Sequence, residues 1–326
     1  MYRNPYLSWY ELALKSLNYS VLGKARTKDF KKVVLTGMGG SGIICDAIYT
    51  VLFSNSEVPV SVVKGFQPPK WVDSETLVCG ISYSGNTVET ISVVLKSMEL
   101  GAEVCAVASG GKLLEIARSK NLPHVIVDGG LLPRVAFPQL LIATIKILDV
   151  YGIKVCDNLG EIIDVLKERS IADYISKELA DFLKESLPVI ISNNEMYPLA
   201  LRFKDELNEN AKMIAKVEVI PEWAHNDIVG WELPINLEVL RALIIWSDDP
   251  IIEFASNYLR EVGVKTYIFK LLGYGVLSKV LYGSLVAGLT TTYLAELRGI
   301  KADETKSIDE YKKFLSSIKG RFKVFY

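Results

Sequence analysis

Residues 32–42 read Lys32-Val33-Val34-Leu35-Thr36-Gly37-Met38-Gly39-Gly40-Ser41-Gly42. The first five residues form a largely apolar run, which predicts a short buried strand. A helical pattern from Ile43 to Leu52 begins directly after the glycines. A buried strand that passes through glycines into a helix is the repeating unit of parallel α/β sheets, so this stretch decides the fold class.

The same alternation of strand and helix continues along the chain. Further strand-like runs lie at 58–63, 76–82, 103–108, 124–127, 189–192, 216–220, 240–246 and 264–269. Helical patterns separate most of them, and fully apolar strands indicate sheets that are covered on both faces. We therefore expect two similar α/β domains, residues 1–153 and residues 154–326, the second ending in C-terminal helices. Each is expected to be a doubly wound parallel sheet flanked by helices.

Composition narrows the possible functions. Of the 326 residues, 50% are hydrophobic and 23% are charged, and the net charge is −1. This balance, without a basic tract, argues against a nucleic-acid partner. Because the sequence has neither a bilayer-length apolar run nor a secretory signal at its start, we expect a cytoplasmic protein that does not bind membranes. Scarce glutamine beside abundant lysine and glutamate favours a thermophilic source.

A metal site or a disulfide framework is not expected. The four cysteines, Cys45, Cys79, Cys105 and Cys156, are widely spaced and have mostly aliphatic neighbours, and the chain has only two histidines. Neither set has the spacing of a zinc site or of a small disulfide-linked protein. We therefore expect no metal and no other cofactor.

Two segments that follow predicted strands suit an anion. The first is Gly37–Gly42, which contains Ser41, and the second is Ser82-Tyr83-Ser84-Gly85-Asn86-Thr87. Each precedes a helix, whose first N–H groups and positive dipole end attract anions. Either segment alone is equally consistent with an ordinary strand-to-helix turn. Two of them in one sheet favour a site for a single phosphate group.

A dinucleotide site is the alternative for the first of these segments. Gly37, Gly39 and Gly42 have the spacing of the dinucleotide-binding fingerprint. In such sites an acidic residue at the end of the second strand binds the ribose, whereas here that strand leads into Lys64-Gly65-Phe66. The segment also lacks the Gly-Lys-Ser/Thr ending of a P-loop.

A candidate acid/base pair lies in the second half of the chain. His225 is in the polar, loop-like segment Pro221-Glu222-Trp223-Ala224-His225-Asn226-Asp227. An imidazole changes charge near neutral pH, which suits proton transfer. Glu209 lies upstream on a predicted helix, and its carboxylate would complete the pair. The alternatives are a solvated loop histidine and a surface carboxylate.

Several of these motifs resemble a known family. Ser82-x-Ser84-Gly85-x-Thr87, preceded by Gly39-Gly40-Ser41, resembles the sugar isomerase (SIS) domain. Two such halves in tandem, with Asn208-Glu209-Asn210 and Pro221-Glu222-x-x-His225-Asn226, resemble the bifunctional phosphoglucose/phosphomannose isomerases. The resemblance covers nearly the whole chain and implies two tandem SIS domains.

The resemblance also implies roles for individual residues. The sugar phosphate would be bound by Gly39, Gly40, Ser41, Ser82, Ser84 and Thr87. Glu209 would be the catalytic base, and His225 would open the sugar ring, reaching the site from the second subunit of a homodimer. Arg134 and Lys312 would be further catalytic residues, Arg134 also binding substrate. Thr305 would help the site to accept the mannose epimer.

The C-terminal lysine is where the sequence departs from the family. Tyr311 stands where the family usually has a leucine before its lysine, and Lys313 follows Lys312 directly. The resemblance favours Lys312, and Lys313 is the alternative.

The implied reaction is an aldose–ketose isomerisation without metal or nicotinamide. Glucose 6-phosphate and mannose 6-phosphate would each interconvert with fructose 6-phosphate through a cis-enediol, with Glu209 moving a proton between C2 and C1. A fixed guanidinium, such as that of Arg134, can stabilise the negative charge of the enediolate.

Two other functions are disfavoured. A sugar-phosphate-sensing module commonly carries a DNA-binding domain, and the sequence leaves no room for a basic helix-turn-helix. The isomerase half of a hexosamine-forming amidotransferase needs an N-terminal cysteine nucleophile, whereas the first cysteine here is Cys45.

Overall fold

The strand at Lys32–Thr36 lies inside a six-stranded sheet, and four of its five residues are buried. The computed structural model describes residues 4–26, 29–234 and 236–318. It divides the chain into two units, the N-terminal unit (residues 11–159 and 305–326) and the C-terminal unit (residues 1–10 and 160–304). Each unit is built around its own sheet.

The elements follow the alternation that the sequence predicts. The strands of the N-terminal unit are β1 (Val21–Leu22), β2 (Lys32–Thr36), β3 (Val60–Val63), β4 (Thr76–Ile81), β5 (Glu103–Ala108) and β6 (His124–Ile126). The strands of the C-terminal unit are β7 (Leu187–Asn193), β8 (Lys216–Ile220), β9 (Leu240–Trp246) and β10 (Lys265–Lys270). The α-helices of the described residues are α1 (Trp9–Ser16), α2 (Gly39–Asn55), α3 (Val88–Glu99), α4 (Gly111–Ser119), α5 (Phe137–Asp149), α6 (Leu159–Asp164), α7 (Arg169–Leu183), α8 (Tyr197–Glu209), α9 (Pro250–Glu261), α10 (Gly275–Leu297) and α11 (Lys306–Ser317).

The sheet of the N-terminal unit has the strand order β1-β6-β5-β4-β2-β3. The edge strand β1 is antiparallel to β6, and the other neighbours are parallel. The order reverses between β2 and β4, because α2 leads outward to β3 and α3 leads the other way to β5. Right-handed crossovers then place α2 and α3 on opposite faces, so the sheet is doubly wound. Every residue of β4 and β5 is buried, as expected for strands covered on both faces.

The sheet of the C-terminal unit has the order β10-β9-β7-β8, and all its strands are parallel. Its order reverses between β7 and β9 in the same way. Its core on one side of the sheet contains Trp223 and Trp231, which are 1% and 7% exposed. The predicted fold class, an α/β protein with parallel sheets flanked by helices, is confirmed.

Three local features differ from the sequence prediction. The two-residue edge strand β1, antiparallel to β6, was not predicted. The residues from Gly39 to Gly42, predicted as a loop, form the first turn of α2, because Gly39 adopts a φ of +53° that turns the chain directly from strand to helix. Helix α9 was not predicted. It has ordinary start signals, since the Asp249 side chain accepts a hydrogen bond of 2.9 Å from the N–H of Ile251 and Pro250 is the first helical residue.

Each unit also takes in a segment from the far end of the chain. Helix α11 belongs to the N-terminal unit, where Leu315 is its buried residue. Residues 1–10 belong to the C-terminal unit, where Tyr6 and Trp9 are each 1% exposed. The predicted boundary between residues 153 and 154 falls shortly before the change of unit at Leu159, but the prediction did not separate the chain ends from the rest.

Candidate active site

The two segments predicted to bind phosphate lie side by side at the carboxyl edge of the N-terminal sheet. They follow β2 and β4, the neighbouring strands between which the strand order reverses. Ligands bind at this point in open α/β sheets, because the loops diverge there and leave a crevice. A Cβ on Gly37 would lie 2.9 Å from the carbonyl oxygen of Ser41 and 3.0 Å from that of Ile81, so the segments approach closely through a glycine.

Hydroxyl groups from both segments are held in place at this edge of the sheet. The Ser41 hydroxyl accepts a hydrogen bond from the N–H of Tyr83 at 3.3 Å, and the hydroxyls of Ser82 and Thr87 are 2.8 Å apart. Ser84 is exposed and accepts a bond from the N–H of Asn86 at 3.3 Å. Thr87 is the N-cap residue of α3, so the hydroxyls stand beside a helix N-terminus. Such a group of donors suits an anion.

Glycines fix the shape of this edge and leave room beside it. Gly85 has a φ of +67°, and a Cβ there would lie 1.8 Å from the carbonyl oxygen of Gly110, so only glycine fits. Gly39 is exposed, and within the described residues no atom lies within 4 Å of a Cβ built on it. Gly40 follows as a half-buried residue in the first turn of α2. The backbone at Gly39 and Gly40 is thus accessible to a ligand.

Arg134 lies in the loop that joins β6 to α5, at the same carboxyl edge of the sheet, and is only 4% exposed. The start of this loop is anchored at Asp128. The Asp128 carboxylate is 2.9 Å from the ammonium of Lys15 and accepts a bond of 2.9 Å from the hydroxyl of Tyr19. The Lys15 ammonium, followed by the Tyr19 hydroxyl, holds the pKa of Asp128 below its usual value against the opposing effect of burial.

Helix α11 brings two further predicted residues to the N-terminal unit. The Tyr311 hydroxyl donates a hydrogen bond of 3.1 Å to Glu89, which is 6% exposed in the first turn of α3. Burial and the Glu89 carboxylate raise the pKa of Tyr311. Thr305 is the N-cap residue of α11. Lys312, the residue after Tyr311, is exposed on this helix. The contact therefore ties α11 to the helix that begins at Thr87.

The geometry of α11 distinguishes its two lysines. Tyr311 and Leu315 mark the inward side of the helix, since Tyr311 bonds to Glu89 and Leu315 is buried. At 3.6 residues per turn, Lys313 lies about 180° around the helix from the midpoint of that side, and Lys312 about 80° from it. Lys312 therefore borders the inward side, whereas Lys313 points away.

Glu209 is the last residue of α8, in the C-terminal unit. The end of this helix is held by a buried network. The Asn210 side chain donates to Glu206 at 2.6 Å and to Thr291 at 2.9 Å, and the Tyr6 hydroxyl donates to Glu206 at 2.7 Å. Arg202 forms an ion pair with the same Glu206, and both side chains are 1% exposed. The sequence motif points to Glu209, but it gives no sign of the buried network that holds the end of its helix.

His225 ends a 3₁₀ helix that follows β8, also in the C-terminal unit. The neighbouring Trp223 packs into the core, while His225 and Asn226 are exposed. The Asn226 side chain donates a hydrogen bond of 2.7 Å to Glu222, and Lys216 pairs with Asp227 at 2.6 Å. A buried tryptophan and these polar contacts present the imidazole to solvent on an anchored segment.

The corresponding edge of the C-terminal unit does not match a phosphate site. Ser247, Asp248 and Asp249 follow β9, and Glu195 lies in the segment after β7. Carboxylates at this position would repel a phosphate group. The hydroxyl-lined edge of the N-terminal unit is therefore the better candidate for the anion.

The described residues contain neither a metal-binding cluster nor a membrane-spanning helix. In that part of the chain, no three His, Cys, Asp or Glu side chains group together as they would around a metal ion. None of its helices combines the length and apolar character needed to cross a membrane.

Comparison with known proteins gives the family. Residues 28–122 match the model of the SIS domain, and residues 173–315 match that of the bacterial phospho-glucose isomerase C-terminal SIS domain. A bifunctional phosphoglucose/phosphomannose isomerase from Aeropyrum pernix is 33% identical, over 95% of this chain and 96% of that protein. The chain belongs to the family of bifunctional phosphoglucose/phosphomannose isomerases. It is therefore an isomerase, and its two halves are SIS domains, as predicted.

Two further comparisons mark the breadth of this likeness. A D-glucosamine-6-phosphate 4-epimerase from Sulfolobus acidocaldarius is 30% identical over 94% of this chain and 95% of that protein. The C-terminal domain of a glucosamine-fructose-6-phosphate aminotransferase from Francisella tularensis has a similar structure, with a TM-score of 0.70 and 15% identity over 92% of this chain and 97% of that chain. The structural likeness shows a shared fold. The epimerase shows that a relative with 30% sequence identity can carry out a different reaction on a sugar phosphate.

Proposed function

We propose that the protein interconverts glucose 6-phosphate and mannose 6-phosphate with fructose 6-phosphate. The observation that carries the proposal is the pair of hydroxyl-bearing segments where the strand order reverses, in a chain of this family. These segments suit one phosphate group, which all three sugars share. Both aldoses pass through the same cis-enediol, because that intermediate has lost the C2 stereocentre that distinguishes them.

Phosphate binding is assigned to the N-terminal unit. Ser41, Ser82 and Thr87 supply hydroxyls that their neighbours already orient, and the start of α3 adds N–H donors and a positive dipole end. Ser84 is exposed and free to bond with solvent or ligand on one side. The energy of phosphate binding lies away from the reacting carbons and serves to position them.

Glu209 is assigned the proton transfer between C2 and C1. A carboxylate can take a proton from a carbon acid when its direction is fixed, and the buried bonds of Glu206 and Asn210 fix the helix end that carries Glu209. Arg134 is assigned the stabilisation of the enediolate, since a buried guanidinium is a preorganised positive charge.

Ring opening is assigned to His225, with help from Lys312. His225 is exposed at the end of an anchored segment, which suits a residue that serves the site of a second subunit in a homodimer. Thr305 is assigned a part in accepting the mannose epimer. Ring opening and the proton transfer between C2 and C1 need no metal ion, because acid/base groups alone can carry out both steps.

The substitution Glu209→Gln tests the base directly. It keeps the shape of the side chain but removes its basicity, so turnover should fall by about 10²- to 10⁴-fold while binding of fructose 6-phosphate changes little. In D₂O the wild-type protein should incorporate deuterium at C1 of fructose 6-phosphate, and the variant should not. Nuclear magnetic resonance measures the deuterium at C1, and calorimetry measures the binding of fructose 6-phosphate.

A second carboxylate on the same helix provides the control. Asp205 is half-buried on α8 and pairs with Lys204 at 3.3 Å, so Asp205→Asn should keep deuterium incorporation and turnover. Full activity of Glu209→Gln would remove Glu209 as the base.

A further inference from the structure

Tyr83 connects the loops at the carboxyl edge of the N-terminal sheet. Its N–H donates to the Ser41 hydroxyl at 3.3 Å, in the segment after β2. Its carbonyl oxygen accepts bonds of 2.8 Å and 2.7 Å from the N–H and the hydroxyl of Ser109, which follows β5. Since Tyr83 itself follows β4, one residue joins the loops after three neighbouring strands.

The side chain of Tyr83 reaches the loop after the fourth strand. Its hydroxyl donates to the carbonyl oxygen of Asp128 at 3.2 Å and accepts from the N–H of Leu131 at 2.9 Å. The loop then continues to Arg134, three residues further on. Tyr83 is 6% exposed, and burial raises the pKa of its hydroxyl, so it stays protonated and able to donate at neutral pH.

We infer that Tyr83 is a positioning residue that sets Arg134 relative to the phosphate-binding hydroxyls, through the Asp128–Leu131 backbone. The inference rests on the proposed function, in which Arg134 stabilises the enediolate. In an isomerase the phosphate fixes one end of an open-chain sugar, and the enediolate forms several carbons away. The distance between the phosphate-binding hydroxyls and the guanidinium must therefore be held constant. The Tyr83 hydroxyl serves this purpose because it bonds to two backbone groups, those of Asp128 and Leu131, in the part of the loop that leads to Arg134.

Other contacts keep the loop folded when this hydroxyl is removed. The Gln139 side chain donates to the Asp128 carbonyl oxygen at 2.9 Å. The Asp128 carboxylate also retains its ion pair with Lys15 and its hydrogen bond from the Tyr19 hydroxyl. Tyr83→Phe should therefore leave the protein folded but free the Leu131 N–H. A small displacement of Arg134 is then expected, rather than loss of the loop.

The test is a double-mutant cycle between Tyr83→Phe and Arg134→Met. Alone, Tyr83→Phe should lower kcat about 10- to 100-fold, because a misplaced catalytic group loses this much. KM for fructose 6-phosphate should change less than about threefold, because the phosphate-binding hydroxyls remain. In the Arg134→Met protein the further change Tyr83→Phe should alter kcat less than about twofold, because its effect passes through Arg134.

Tyr151→Phe is the matched control. Its hydroxyl is 3.1 Å from the carboxylate of Glu103, at the opposite, amino edge of the same sheet, and it should lower thermal stability without changing kcat. Two results would overturn this inference while leaving the proposed function intact. In the first, Tyr83→Phe lowers kcat by the same factor whether or not Arg134 is present. In the second, the wild-type protein is active and the Tyr83→Phe variant has the same kcat. If the wild-type protein converts neither aldose phosphate, the proposed function is wrong and the inference is overturned with it.

Discussion

His225 shows how much context a single residue needs. In the sequence it is one of two histidines in a polar segment, and solvation is an adequate explanation for it. The structure adds that Trp223 is buried beside it, while His225 itself is exposed. A segment that buries a tryptophan and presents the imidazole to solvent is consistent with the proton-transfer role proposed for His225.

We predict that His225→Ala impairs ring opening selectively. Turnover of cyclic glucose 6-phosphate should fall about 100-fold, whereas an open-chain aldose phosphate analogue should react at close to the wild-type rate. Steady-state kinetics with the two substrates measure the difference. Equal losses on both would exclude a ring-opening role.

A mixture of subunits determines which site His225 serves. If it acts across a homodimer, mixing His225→Ala protein with Glu209→Gln protein should restore about one quarter of wild-type activity, because half of the dimers are hybrids and each has one intact site. If the mixture is shown to contain hybrid dimers but its activity is not restored, His225 acts in the site of its own subunit.

At the scale of elements, the sequence predicted the strands well and the candidate site in part. Apolar runs and glycines identify β2 and β4 and the segments after them, because burial and turn chemistry are local properties. Tyr83 was quoted within its motif but its role was missed, because its partners Asp128 and Leu131 are far along the chain and backbone groups carry no sequence signal. Glu89 was missed for the same reason, since its partner Tyr311 lies on α11.

Helix α11 gives the prediction at this scale. Because Lys312 borders its inward side and Lys313 points away, Lys312→Met should lower kcat about 10- to 100-fold, whereas Lys313→Met should change it less than about twofold. The two variants lose the same charge and differ only in position, so each is a control for the other. The opposite ranking of their kcat values would assign the role to Lys313 and contradict the orientation argument.

At the scale of the whole molecule, the two chain ends were the hardest part to predict. The α11 sequence has one apolar side, but amphipathicity does not say which unit covers it. The same holds for Tyr6, whose bonds to Glu206 and Asn210 tie the start of the chain to the end of α8. The chain belongs to the isomerase family, and the segments proposed to bind phosphate and the residues proposed to act in catalysis fit one account, a metal-independent isomerase of sugar phosphates.

The most direct test of that account is to supply the wild-type protein with each aldose phosphate separately, in EDTA, and to measure fructose 6-phosphate with a coupled assay. The account predicts that both glucose 6-phosphate and mannose 6-phosphate are converted at rates that EDTA does not change. Glucosamine 6-phosphate, supplied in parallel, should yield no 4-epimer. Conversion of neither aldose, whether or not the 4-epimer appears, would contradict the central claim.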